Sequence, residues 1–301
     1  MANPTLPRQQ KATPAYRNVC LPRGRHFGVQ ARAMPVGLHS QKYQVQRAGD
    51  SVGEYPQLTV KRRFLTLRVM GQTDSIYLTP TQMIDSDHPI IREYAKRTIG
   101  KSLDPVDRSV KLFRAVRDDI RYDPYSPFYL AEHYQASWVF QRGRSFCVPK
   151  ASLLCALGRA CGIPSRVGFA TVRNHLATRQ LLDFMGSDLF VYHGFVEFYL
   201  ERKWVKATPA FNRELCWRHG VDPLEFNGRE DALFQPFNSR NEKFMDYLEY
   251  TGTYADIPVS AIVEGWEKAY GKDRVRRWIR MFEERGGISL GDFEREDVSD
   301  E

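Results

Sequence analysis

The stretch SFCVPKASLLCALGRACGIPSRVGF, from Ser145 to Phe169, carries three cysteines in unlike settings. Leu153, Leu154, Leu157, Ala160 and Cys161 form an apolar stripe with helical spacing, Gly162 ends it, and Pro164 follows as a stop. Proline fits only the first turn of a helix, where its missing N–H had no partner. Pro149 therefore sets the helix start near Ser145–Phe146 and puts Cys147 in the first turn. Free N–H groups and the helix dipole favour an anion there, so they favour thiolate, the nucleophilic form. The same N–H groups can hold an oxyanion after attack on a carbonyl. Cys155 and Cys161 lack this setting and read as small core residues.

A thiol nucleophile needs a base. His193 lies in VYHGFVEFYLERKWVKATPAFN. Strand alternation puts His193, Phe195, Glu197 and Tyr199 on one face, with Gly194, Val196, Phe198 and Leu200 on the other. If Glu201-Arg202 is a two-residue turn, Leu200 pairs with Lys203 and Thr208 with Phe195. Thr208 is then a diagonal neighbour of His193, within side-chain reach. An odd-length turn would move it to the opposite face. Glu197 lies too far along the strand to orient the imidazole and is expected to line a cleft. His175 and His219 read as structural or exposed. Trp138 and Tyr129 are candidates for a substrate groove, although aromatics at such positions serve the core more often.

With these residues in place, the sequence resembles the transglutaminase-like superfamily of cysteine enzymes, and most closely its bacterial branch. The resemblance rests on Cys147 with KASLLCALGRACGIPSRVGFATVRNHL, followed by HGFVEFYLERKWVKATPAFN, and extends over about Tyr77 to Asp256. It implies a papain-like α+β fold and a Cys-His-Asp triad, with Cys147 as nucleophile and His193 as base. It also implies a peptide or protein amide as substrate, attacked to form a thioester that water or an amine resolves, with no cofactor and no metal. Thr208-Pro209 stands where the family has Asp-Pro, so Thr208 takes the third position. A hydroxyl can fix the imidazole tautomer but cannot offset an imidazolium charge. Ser145 stands where members commonly have glycine. A decayed third position leaves open an inert module that binds peptides.

Several elements must position these residues. Asp87 with Pro89 opens a helix that buries Ile90, Ile91, Tyr94, Ala95 and Ile99 and ends at Gly100. Asp104 caps the next, Pro105 opens it, and Val106, Val110, Phe113, Val116 and Ile120 share a face. Tyr134–Arg142 and the cysteine helix complete a helical half. Arg166–Val172, Phe190–Leu200 and Lys203–Pro209 then read as strands. Val221–Asp256 reads as irregular, and Ile262–Arg285 as one last helix. Helices followed by an antiparallel sheet give an α+β domain. The expected divisions are a basic, disordered leader at 1–55, a catalytic domain at 56–260 that begins with a strand at Leu58–Val69, and a C-terminal helix and acidic tail at 261–301. Met34 and Met70 are alternative starts within this plan.

Charge and cysteine usage exclude other classes. The net charge of +8 comes from the leader, which holds eight Lys/Arg and no acid over residues 1–49; the remaining 252 residues carry 36 basic and 36 acidic side chains (44 − 8 against 36). A basic arm can bind nucleic acid, but no reader motif accompanies it, so no specific nucleic-acid partner is expected. Five cysteines without a Cys-x-x-Cys pair exclude a secreted disulfide framework and a zinc-finger pattern. No run of apolar residues is long enough to span a bilayer and no secretory signal appears. A cytoplasmic enzyme is the expectation.

Overall fold

Local signals set the helical half. The computed structural model describes residues 75–296, all within one compact unit, Leu65–Glu301. The leader and the strand expected at Leu58–Val69 lie outside the described residues. Helix α1 is Pro89–Ile99 and α2 is Pro105–Asp119. The Asp104 carboxylate accepts from the Val106 and Asp107 N–H groups, as expected of a cap. At α1 the cap is His88, whose Nδ1 accepts from Ile90 N–H at 3.3 Å, and not Asp87. A two-residue strand β1 (Arg121–Tyr122), a 3-10 turn (Ala131–Tyr134), α3 (Ala136–Arg142) and β2 (Arg144–Ser145) lead to the cysteine helix α4, Cys147–Ala160.

Helix α4 is the axis of the core. Every residue from Cys147 to Arg159 is buried, with α1, α2 and α3 packed against it and the strand Leu189–Leu200 also in contact. Its small residues, Ala151, Ser152, Ala156 and Gly158, let these neighbours approach closely.

The sheet follows the α+β expectation. Strands β3 (Ser165–Asn174), β4 (Leu189–Leu200), β5 (Lys203–Ala207) and β6 (Met245–Tyr254) form an antiparallel sheet in the order β5-β4-β3-β6. The Glu201-Arg202 turn has two residues, both left-handed (φ 46° and 70°), and Leu200 pairs with Lys203. That is the even-length hairpin expected, with the turn class that matches strand twist.

Three segments differ from expectation. Val221–Asp256 is not irregular throughout, because it holds the edge strand β6. One face of β6 is open, Leu248 and Tyr250 are about half exposed, and two register shifts interrupt its pairing with β3. Alternation is lost in such a strand. The last helix is two, α7 (Val259–Tyr270) and α8 (Lys272–Glu284), broken at Gly271 (φ 91°). Two short helices, α5 (Arg179–Met185) and α6 (Arg213–Arg218), were not foreseen. Among the described residues no helix is long and apolar enough to cross a membrane.

Candidate active site

Cys147 opens α4, as its spacing from Pro149 required, and is 8% exposed. Burial pushes its thiol up to about 11, while the N–H groups of Gly194, Val148 and Cys147 and the charge of Lys150 pull it down. The helix start thus acts in the expected direction, but desolvation of a thiolate is the larger effect. The thiol pKa therefore stands above its ordinary value, although the helix start pulls it down as expected.

Two residues fix where this sulfur sits. Lys150, fully buried one turn along α4, donates from Nζ to the Arg117 carbonyl at 3.0 Å and to the Ile120 carbonyl. It ties the start of α4 to the end of α2. Burial lowers its pKa to about 7, with the Asp118 charge pulling it back up. Gly194 lets β4 come against the first turn of α4. A Cβ there would stand 2.9 Å from Val148 Cα, which is closer than side chains come to backbone. Only glycine brings its own N–H to the Cys147 sulfur at this approach.

His193 is aimed by a bulge. Phe190 pairs with Val172 and His193 with Ala170, so β4 carries one extra residue there. Tyr192 absorbs it in the left-handed region at φ 60°, a strained conformation for a bulky side chain. Helix α7 clamps the irregular segment. Trp266 Nε1 donates to the Val191 carbonyl at 2.8 Å, and the Tyr270 hydroxyl accepts from Val191 N–H at 2.8 Å while donating to the Leu189 carbonyl at 3.0 Å. The imidazole is 5% exposed, and burial lowers its pKa to about 4, so it is neutral at physiological pH. Cys147 and His193 line one cavity with about 570 Å³ of space, its open mouth included, and no hydrogen bond joins them.

Thr208 follows the last residue of β5. The register Val196↔Ala207, continued by one, sets it opposite Phe195, as the even turn required. The expected hydrogen bond to His193 is not formed. His193 Nε2 and Thr208 Oγ1 are both buried and unpartnered. The Thr208 hydroxyl lies by the Tyr247 phenol, close enough to oppose the rise that burial gives its pKa but outside hydrogen-bond geometry. The Tyr247 ring stands edge-on to the imidazole, centroids 6.1 Å apart.

The other candidates lie elsewhere. The Glu197 carboxylate accepts from Arg166 at 2.6 Å and lines a separate surface groove with Lys206 and Tyr250. His175 pairs with Asp246 at 2.7 Å. Trp138 and Tyr129 pack on His133 and do not line the cavity. Among the described residues, no three His, Cys, Asp or Glu side chains gather as a metal set. The residues missed from sequence are Gly194, Trp266 and Tyr270. A lone glycine inside a strand pattern signals close backbone approach and could have found the first. Trp266 and Tyr270 share a helix face at a spacing of four, but nothing local links that face to Val191.

Residues 92–209 match the family model of the transglutaminase-like superfamily, and Cys147, His193 and Thr208 all fall within the matched segment. The matched segment, 118 of the 301 residues, is similar to the transglutaminase-like superfamily. A "putative cysteine protease" from Cytophaga hutchinsonii is similar in structure at 16% identity and a TM-score of 0.42, over 64% of this chain and 51% of that one. The periplasmic domain of TgpA from Pseudomonas aeruginosa is similar at 20% identity and a TM-score of 0.34, over 47% of this chain and 48% of that one. The chain thus spans about half the length of each. No curated protein matches the sequence. Within the matched segment, the α4 start and the β4 bulge are the two elements that bring Cys147 and His193 to one cavity.

Proposed function

We propose that the protein is a thiol-dependent acyltransferase or amide hydrolase that works through a thioester on Cys147. One observation carries this: Cys147, a buried thiol at a helix start, and His193 stand in the wall of one cavity, with the N–H of Gly194, the neighbour of His193, near enough to the sulfur to pull its pKa down. Neutral His193 takes the Sγ proton as sulfur attacks the amide carbonyl, and the Cys147 N–H donates to the oxyanion. The imidazolium returns that proton to the leaving amine as the C–N bond breaks, leaving the thioester. Water or an amine then attacks with His193 again as base, and the proton goes back to Sγ. Thr208 makes no hydrogen bond to the imidazole, so the proposed machinery is a Cys147–His193 dyad with Thr208 behind it. The partner is a peptide or protein bearing the amide. The four unpaired cysteines among the described residues suit a reducing compartment, so the proposed location is the cytoplasm.

The same site supports a second reading, an inert peptide-binding module, because burial raises the thiol pKa and no carboxylate orients the imidazole. Intact-mass analysis during incubation with activated esters and peptide amides separates the two. A substrate-derived adduct on Cys147 that forms and decays at the rate of product release is expected of the enzyme. Bound peptide without an adduct or product would leave the binding module.

A further inference from the structure

The cavity beside Cys147 is aromatic. Phe128, Phe146, Phe184, Trp266, Trp278 and Phe282 stand in its wall, brought there by the loop before the 3-10 turn, the residue capping α4, and helices α5, α7 and α8. Three polar groups in that wall are already engaged. Ser126 Oγ donates to Asp123 at 2.9 Å, Trp266 Nε1 is taken by the Val191 carbonyl, and the Tyr270 hydroxyl bridges Val191 N–H and the Leu189 carbonyl. Trp266 and Tyr270 therefore offer the cavity ring surface. Tyr122, Tyr192 and His193 add polar atoms to a wall that is otherwise ring and alkyl surface, so a phenyl or branched aliphatic group gains more by leaving water there than a carboxamide or carboxylate does.

Of the two halves of an amide, the acyl half must be held longest. It stays bonded to Sγ through both half-reactions, while the amine departs after the first. Cys147 is itself part of the wall, so a group joined to its sulfur by one carbonyl begins at the cavity.

We propose that this cavity is the acyl pocket and that the substrate carries a bulky apolar side chain, aromatic or branched aliphatic, next to the scissile carbonyl. The proposal rests on Cys147 being the nucleophile. It adds the substrate class, with the aromatic wall as the specificity determinant.

The test uses the full chain and matched p-nitrophenyl esters and p-nitroanilides of N-acetyl-Phe, -Leu, -Gln and -Asp, with kcat/KM and the mass on Cys147 as readouts. A second series holds the acyl group fixed and varies the amine. The expected result is a thioester with Phe and Leu and a preference of about 30-fold or more over Gln and Asp. Met185→Glu places a charge at a half-buried position of the wall, at the end of α5. It should lower kcat/KM for the Phe and Leu substrates by about tenfold or more and narrow their lead over Gln. Phe190→Ala, which widens the wall, should shift the preference from Leu toward larger aromatic acyl groups. Melting curves report that each variant is folded. A thioester formed equally from all four acyl groups overturns the acyl pocket and leaves the nucleophile standing, as does a preference that follows the amine. No thioester from any ester overturns the nucleophile and the pocket with it.

Discussion

The two sides of the cavity are held by different means. On the cysteine side, backbone does the work: the sulfur sits at a helix start, receives main-chain N–H groups from Cys147, Val148 and Gly194, and is tied down by Lys150. On the histidine side, the strand is bulged, the residue before the imidazole is in a left-handed conformation, and the bonds that steady it come from α7, some 75 or more residues away in sequence. Two buried polar atoms on this side, His193 Nε2 and Thr208 Oγ1, have no partner. Local sequence can specify a helix start. A clamped bulge needs the whole chain, and it leaves His193 with an unpartnered ring nitrogen.

Removing the reacting groups should have the largest effect. Cys147→Ala and His193→Ala should each lower kcat/KM by about a thousandfold or more in an amidase or esterase assay. Cys147→Ala should melt within a few degrees of the parent, because the change removes one sulfur at the edge of the core. Equal losses would show the two sides acting as one unit despite their different support. Parent activity in Cys147→Ala would end the mechanism.

Protonation offers the next test. The folded pKa of His193 is about 4, below its ordinary value near 6.5, because burial disfavours the cation. The unfolded state therefore binds more protons between those values, and the stability that neutral His193 allows is present above pH 6.5 and lost as pH falls toward 4. The loss is about 3 kcal/mol, from roughly 2.5 pKa units at 1.36 kcal/mol each. Urea unfolding of the parent and His193→Gln across this range isolates it from other groups, including His133, which burial also lowers to about 4. The parent should lose about 3 kcal/mol relative to the variant on acidification, and a flat difference would mean that the imidazole is hydrated in the native protein. The cysteine side gives the companion measurement. With its thiol at about 11, Cys147 should react with iodoacetamide slowly at neutral pH and about tenfold faster per pH unit up to that value. A plateau near neutral pH would show a thiolate already standing.

Gly194 joins the two sides, being the neighbour of His193 and a donor to the sulfur. Gly194→Ala forces a Cβ to within 2.9 Å of Val148 Cα and must part β4 from α4. Overpacking of this kind costs about 1–3 kcal/mol. The melting temperature should fall, and kcat should fall by about tenfold or more as the Gly194 N–H withdraws from Cys147. Reduced stability with parent kcat would show that this N–H serves packing alone.

These contrasts explain what was legible. Pro149, Gly162 and Pro164 act within a turn or two of themselves, so the limits of α4 and the place of Cys147 could be read directly. The alternation through Phe190–Leu200 and a two-residue turn likewise carried the β4–β5 register. The state of the thiol could not be read, because it depends on how many distant residues exclude water from one atom. The bulge at Tyr192 was hidden, since its stabilising partners are on α7. Strand β6 was hidden because an edge strand with one open face has no need to alternate. Gly271 was passed over because the apolar face resumes beyond it.

The smallest expected effect lies behind the imidazole. Thr208 stands where the third member was expected but makes no hydrogen bond to His193, and its hydroxyl, like His193 Nε2, is buried without a partner. Thr208→Val keeps the shape and removes the hydroxyl. If the histidine side is steadied by the α7 clamp rather than by Thr208, kcat should change less than about threefold, which is under 0.7 kcal/mol of activation free energy. Stability should hold or rise by up to about 1 kcal/mol, since an unsatisfied polar atom leaves the interior. Tyr270→Phe, which removes both hydroxyl bonds to the bulge, should then cost more in kcat than Thr208→Val. Thr208→Asp adds the direction of charge. A carboxylate accepting from Nε2 would raise the His193 pKa from about 4 and move the acid limb of kcat/KM to higher pH. If Thr208→Val instead lowers kcat tenfold or more while KM stays fixed, the hydroxyl does orient the base during turnover. The two sides would then be equally constrained once substrate is bound.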